Sequence, residues 1–135
     1  MALQYSVTVR NAQLDAVETT VGTAPLLRIY SGAAPANCAA AASGTLLAEA
    51  TLPSDWMAAA SSGSKALSGT WQDASANATG TAGHWRLYDS GGTTCHAQGT
   101  VTATGGGGDL TLDNTSIASG QSVTITSFTI TAGND

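Results

Sequence analysis

Positive charge is nearly missing from this chain. Arg10, Arg28, Lys65 and Arg86 are the only basic residues among 135, against nine acidic ones, and the net charge is −5. A DNA-contacting protein typically neutralises about 6–10 phosphates, so this composition argues against direct nucleic-acid binding. Large aliphatic residues are scarce too: Leu, Ile, Val and Phe total 22, while Ala (25), Thr (20), Gly (16) and Ser (14) fill 75 positions. So little apolar bulk brings disorder into consideration. Disorder also needs strong self-repulsion, which 10% charged residues do not supply. The expectation is a lean folded domain, 1–135, whose core is completed by neighbouring copies or a partner. No apolar run approaches the roughly 18 residues of a spanning helix, and the start lacks a signal-peptide pattern. A soluble product, kept where it is made and without a membrane partner, is expected.

Cysteine is equally sparse. Cys38 and Cys95 stand 57 positions apart in polar, turn-like surroundings and match no metal-ligand spacing. Two free thiols are expected, with a structural disulfide as the alternative.

The apolar residues that are present are periodic. Val7, Leu14, Val17 and Val21 recur at near-helical spacing, with Ser6 as a possible N-cap and Gly22 as a stop, which predicts a helix over about 6–20. After Pro25 the period becomes that of strands: "LLRIY" (26–30), "TLLAEATL" (45–52), "KALSGTWQ" (65–72), "TAGHWRLYDS" (81–90), "GGTTCHAQGTVTA", "DLTLD" (109–113) and "SVTITSFTI" (122–130). In the fourth, Trp85 and Leu87 alternate with His84, Arg86 and Tyr88. In the last, Val123, Ile125, Ser127 and Thr129 share a face. Short strands with turn signals between them predict a mainly β protein, an antiparallel sandwich over about 25–132.

Four consecutive glycines, Gly105 to Gly108, pose a separate question. A phosphate cradle needs a helix directly after its glycines, and here Asp109 and an alternating strand follow. A linker needs a further module, whereas the remaining residues read as strands of the same domain. A loop between strands is expected.

No set of residues converges on chemistry. His84 and His96 lack partners at ligand spacing, and Cys95 and His96 point to opposite strand faces, so no metal is expected. No Gly-x-Ser-x-Gly turn marks a nucleophile. Asp109 and Asp113 beside Asn114 lack the calcium-loop pattern and read as a solvated strand face. Trp56, Trp71 and Trp85 could line a sugar platform, but in a chain this poor in bulk they read as core anchors. Neither an enzyme nor a cofactor is expected.

Three stretches carry a resemblance: "MALQYSVTVRNAQLDAVETTVGTAPLLRIYSGAAPANCAAAASGTLLAEATLPSDW", "SGTWQDASANATGTAGHWRLYDSGGTT" and "GGGGDLTLDNTSIASGQSVTITSFTITAGND". Nearly the whole chain resembles the capsid decoration, or cement, proteins of tailed double-stranded DNA bacteriophages. "LTLDNTSIASGQSVTITSFTITAG" is the most specific part. The resemblance implies a jelly-roll-like β-sandwich made in the host cytoplasm and bound to the outside of the head. There it would bridge major capsid protein subunits as a homo-oligomer, a dimer ahead of a trimer. Avidity over many copies suits weak, repeated contacts of this kind.

Four residues are candidate partner contacts. An N-terminal arm, Ala2 to Tyr5, could dock Leu3 and Tyr5 on a neighbour, or those side chains could close the domain's own core. Arg28 and Arg86 could link to acidic coat loops, or line an ordinary exposed strand face. The competing reading is a tail- or fibre-associated sandwich that recognises a host surface glycan through tryptophans and strand loops.

Overall fold

The computed structural model describes residues 3–133. It is mainly β, with one helix, α1 (Val7–Val21), and ten strands. The strands are β1 (Leu26–Ser31), β2 (Leu46–Thr51), β3 (Ser64–Ala66), β4 (Trp71–Asp73), β5 (Gly80–Tyr88), β6 (Cys95–Ala103), β7 (Leu110–Leu112), β8 (Ser116–Ile117), β9 (Val123–Ile125) and β10 (Thr129–Thr131).

The helix begins and ends where its capping residues direct. The Ser6 hydroxyl accepts from the Val9 N–H at 3.2 Å, and Gly22, at φ 91°, donates its N–H to the Glu18 carbonyl. Its apolar spacing is a weaker guide, because only Leu14 and Val21 of the four expected positions are buried. Polar clasps hold the helix in place of a broad apolar face. Arg10 Nε donates to the Ala132 carbonyl at 2.6 Å, the Gly63 N–H donates to Asn11 Oδ1 at 2.9 Å, and Lys65 reaches both Asp15 and Glu18. Trp56 Nε1 donates to the Gly22 carbonyl at 2.9 Å, tying the helix end to the core.

The main sheet runs in the order β2-β1-β5-β6-β7, with β8 paired to the start of β5. Opposite it stand two short antiparallel ladders, β3 with β10 and β4 with β9. The core lies between these layers in a sandwich-like arrangement. Leu27 and Ile29 of β1, Leu47 of β2, and Trp85 and Leu87 of β5 meet Trp56, Trp71, Val123, Ile125 and Phe128 in one buried cluster. An aromatic chain crosses it: Trp85 meets Phe128 edge-on at 5.3 Å, Phe128 meets Trp71 at 5.4 Å, and Trp71 meets Trp56 at 5.9 Å. With so few aliphatic residues, these four rings supply much of the bulk that fills the interior.

Several strands differ from their expected extents. "KALSGTWQ" divides into β3 and β4, and "SVTITSFTI" into β9 and β10. In the second case the alternation changes phase. Val123 and Ile125 are buried, but so is Phe128, while Ser127 and Thr129 are exposed, so the single expected face is two faces of opposite parity. The irregular residues 126–128 let each half pair with a different partner, β4 or β3. The stretch "NTSIASGQ", between two of the expected strands, contains β8.

The β6–β7 pair is parallel, the one departure from the antiparallel rule among the described strands, with Val101 opposite Leu110. Parallel neighbours usually need a crossover of about a dozen residues or more. Here 104–109 suffice because of the glycine run. Gly105 and Gly107 take φ values of 88° and 81°, and a Cβ on Gly106 or Gly108 would come within 2.8–2.9 Å of the Thr102 side chain. The glycines are therefore a folded-back loop between strands.

Candidate functional site

The four candidate contacts fall in two places. Leu3 and Tyr5 precede α1 and are 60% and 42% exposed, so they do not close the core. Ala2, the first residue of the expected arm, lies outside the described residues. Beyond the arm, Val7, Val9 and Val17 of α1 are exposed as well, and these five are the exposed large apolar side chains of residues 3–133. They line the first 17 positions and no other part of the described surface. Sequence reasoning did not find the three valines, because a helix with apolar residues on every side gives no clear inward face. The polar clasps described above turn Leu14 and Val21 inward and leave the valines outward.

The arginines lie on the outer face of the main sheet. Glu49 of β2, Arg28 of β1, Arg86 of β5 and Gln98 of β6 are successive cross-strand partners, forming a polar row over four strands. Arg28 Nε donates to Glu49 Oε2 at 2.6 Å, and its guanidinium lies 4.6 Å from the centre of the Tyr88 ring. Burial would lower its pKa, but the bonded Glu49 carboxylate outweighs that and raises it.

Arg86 is a correction to the expected exposed strand face. It is 1% exposed, and its Nη2 donates to the Cys38 and Ala40 carbonyls at 2.8 and 2.9 Å. The segment after Gly32 folds over this face, and Gln98 Nε2 holds it further through the Pro35 carbonyl at 2.6 Å. A strand covered on both sides buries both halves of its alternation. The same cover accounts for His84, which shares the strand face of Arg86. It is fully buried, stacked on Tyr30 at 5.2 Å, with Nδ1 2.9 Å from the Gly32 carbonyl.

The remaining candidates are structural in their surroundings. Trp56, Trp71 and Trp85 are all buried, so none stands on the surface as a sugar platform. Asp109 flanks β7 and accepts from the backbone and hydroxyl of Thr100 at 3.0 and 3.3 Å. Asp113, on the other side of β7, lies 3.5 Å from the Thr104 hydroxyl. Among the described residues no three His, Cys, Asp or Glu side chains converge as a metal site would require. No described helix is long and apolar enough to cross a membrane.

Compared with protein families, curated proteins and solved structures, the chain matches none. The functional reading therefore rests on the sequence resemblance and on the geometry above.

Proposed function

We propose that this chain is a structural virion protein, a capsid decoration or cement subunit that binds the outside of a phage head and bridges major capsid protein subunits. The observation that carries the reading is the segregation of exposed apolar bulk. Leu3, Tyr5, Val7, Val9 and Val17 stand on one terminal arm and helix, attached to a sandwich whose other large apolar side chains are at least partly buried. Exposed apolar side chains gathered on one terminal segment of a lean, acidic domain suit docking onto another protein.

The cations support the same reading from the other side. Lys65 is buried in two ion pairs, Arg28 is paired with Glu49, Arg86 is bound to loop carbonyls and Arg10 to the Ala132 carbonyl. Each basic side chain is engaged within the fold, which leaves little for a phosphate backbone. Small side chains over the remaining surface allow close lateral approach between copies, in keeping with a homo-oligomer on the shell. A jelly-roll relationship between the layers belongs to this proposal, as does the dimer favoured over a trimer.

Mixing the purified protein with heads assembled from the major capsid protein of the same genome tests the proposal. Co-sedimentation with the heads, saturating at a fixed ratio to the capsid protein, is the expected result. Failure to bind heads, with retention on host surface polysaccharide, would favour the glycan-binding alternative.

A further inference from the structure

Cys38 and Cys95 are neighbours in the fold. Cys38 lies in the segment that covers the outer face of the main sheet, and Cys95 opens β6 beneath it. The two cysteines line one cavity of about 260 Å³ together with Arg86, Tyr88 and Thr93. Arg86 fixes the pair from both ends, donating through Nη2 to the Cys38 carbonyl at 2.8 Å and through Nε to Cys95 Sγ at 3.3 Å. The two cysteines are not joined to each other, and both are partly accessible.

We infer that this pair is a redox-controlled staple: on oxidation by a small-molecule disulfide, Cys38 and Cys95 close an intramolecular disulfide that locks the covering segment onto the sheet. The two sulfurs differ in their surroundings, and that sets the order of events. A negative charge on Cys95 Sγ would meet the Arg86 guanidinium directly, whereas burial and the neighbouring Cys95 push the Cys38 thiol up to about 11. In the first step the Cys95 thiolate attacks the disulfide R–S–S–R, forming Cys95–S–S–R and releasing one thiolate RS⁻. In the second, Cys38 gives its proton to solvent and attacks the Cys95 sulfur. The Cys38–Cys95 bond forms as the second RS⁻ leaves. Two protein thiols are oxidised, one external disulfide is reduced to two thiols, and the electrons balance.

The staple would join positions 57 apart in sequence and so remove much conformational freedom from the unfolded chain. In a reducing compartment it stays open, and outside it closes. If the decoration reading of the preceding subsection holds, closure follows release of the particle. The chemistry of the pair does not depend on that reading.

The test uses the purified, reduced chain, treated with oxidised glutathione and followed by intact-protein mass spectrometry. The wild type should end as a monomer lacking two hydrogens and carrying no glutathione, with its thermal midpoint raised by several degrees. Cys38→Ser should stop at a single glutathione adduct on Cys95. Cys95→Ser should react only slowly, because burial still raises its remaining thiol and no arginine bond reaches its sulfur. The second step in the wild type should speed up as pH rises toward 11. A wild type that retains two glutathiones, links into covalent dimers or fails to react would overturn the inference. None of these outcomes involves a capsid, so failure here is distinct from failure of the proposed function.

Discussion

Lys65 of β3, 2% exposed, reaches Asp15 of α1 at 2.7 Å, and the same ammonium meets Glu18 at 2.8 Å and the Ala58 carbonyl at 2.9 Å. One buried cation thus joins two turns of the helix to the short ladder beneath it. The pair is asymmetric, since the Asp15 side chain is 52% exposed and can rehydrate, while the ammonium cannot. Replacing both Asp15 and Glu18 by Ala should therefore be strongly destabilising, because it strands a buried charge. Lys65→Met should cost less, about 1–3 kcal/mol, chiefly from the carbonyl it leaves without a donor. Denaturant unfolding of the two variants checks this ranking, and a costlier Lys65→Met would refute it.

The same pair predicts a pH window. Asp15 is held below its usual 3.8 by the bond from Lys65 and, after it, by the Ala60 N–H. The folded chain binds this proton less tightly than the unfolded chain, so the contribution is present above pH 3.8 and lost as pH falls below it. Burial opposes the charge on Lys65, but its bonds to Asp15 and Glu18 prevail and raise it above the usual 10.5. Its contribution is complete below 10.5 and lost as pH climbs beyond. Thermal midpoints across pH should hold a plateau between these limits and fall at both ends. Replacing Lys65 and its two carboxylates together with uncharged residues should flatten both flanks.

Gly83 in β5 allows a close backbone approach. A Cβ there would lie 2.1 Å from the Gly32 carbonyl oxygen, where the β1–β5 register shifts between Tyr30 and Ser31. Gly83→Ala should destabilise by about 1–3 kcal/mol through overpacking against backbone that cannot swing aside. Calorimetry on the variant tests this, and a midpoint equal to the wild type would exclude the clash.

Val7, Val9 and Val17 should separate stability from docking. Changing all three to serine removes side chains outside the central cluster, and Val17, which also borders a small apolar cavity beside Trp56 and Phe128, should account for most of an unfolding cost of about 1–2 kcal/mol. Affinity for heads should drop at least about tenfold, since each valine removes apolar area from a contact that buries it. Co-sedimentation and denaturant titration of the same preparation report both quantities. Unchanged binding would move the contact away from the arm and helix.

The limits of sequence reading follow from what is local. Ser6 and Gly22 delimit the helix through bonds to residues three or four positions away, so they were legible. The existence of β1, β2, β5 and β6 was legible for the same reason, from runs of strand-forming residues between turn signals. His84 and Arg86 read as a solvent face because the segment that buries them comes from some 45 residues earlier, joined only in the folded state. The phase change at 126–128 was hidden by Ser127 and Thr129, which continue the pattern of Val123 and Ile125 while Phe128 enters the core. The thiol pair stayed undecided for a related reason, since 57 positions of chain separate cysteines that the fold brings to one cavity. The exposed valines are the remaining gap, because polar clasps between the helix and β3 decide which side of α1 faces inward.

The central claim is that this domain decorates a phage head, and cryo-electron microscopy of the native particle with icosahedral averaging tests it most directly. The account predicts density for a small β-domain repeated over the outside of the shell at the joints between capsomers, with the N-terminal arm and α1 against the coat. A bare shell, with the chain found only in the tail fraction, would contradict it.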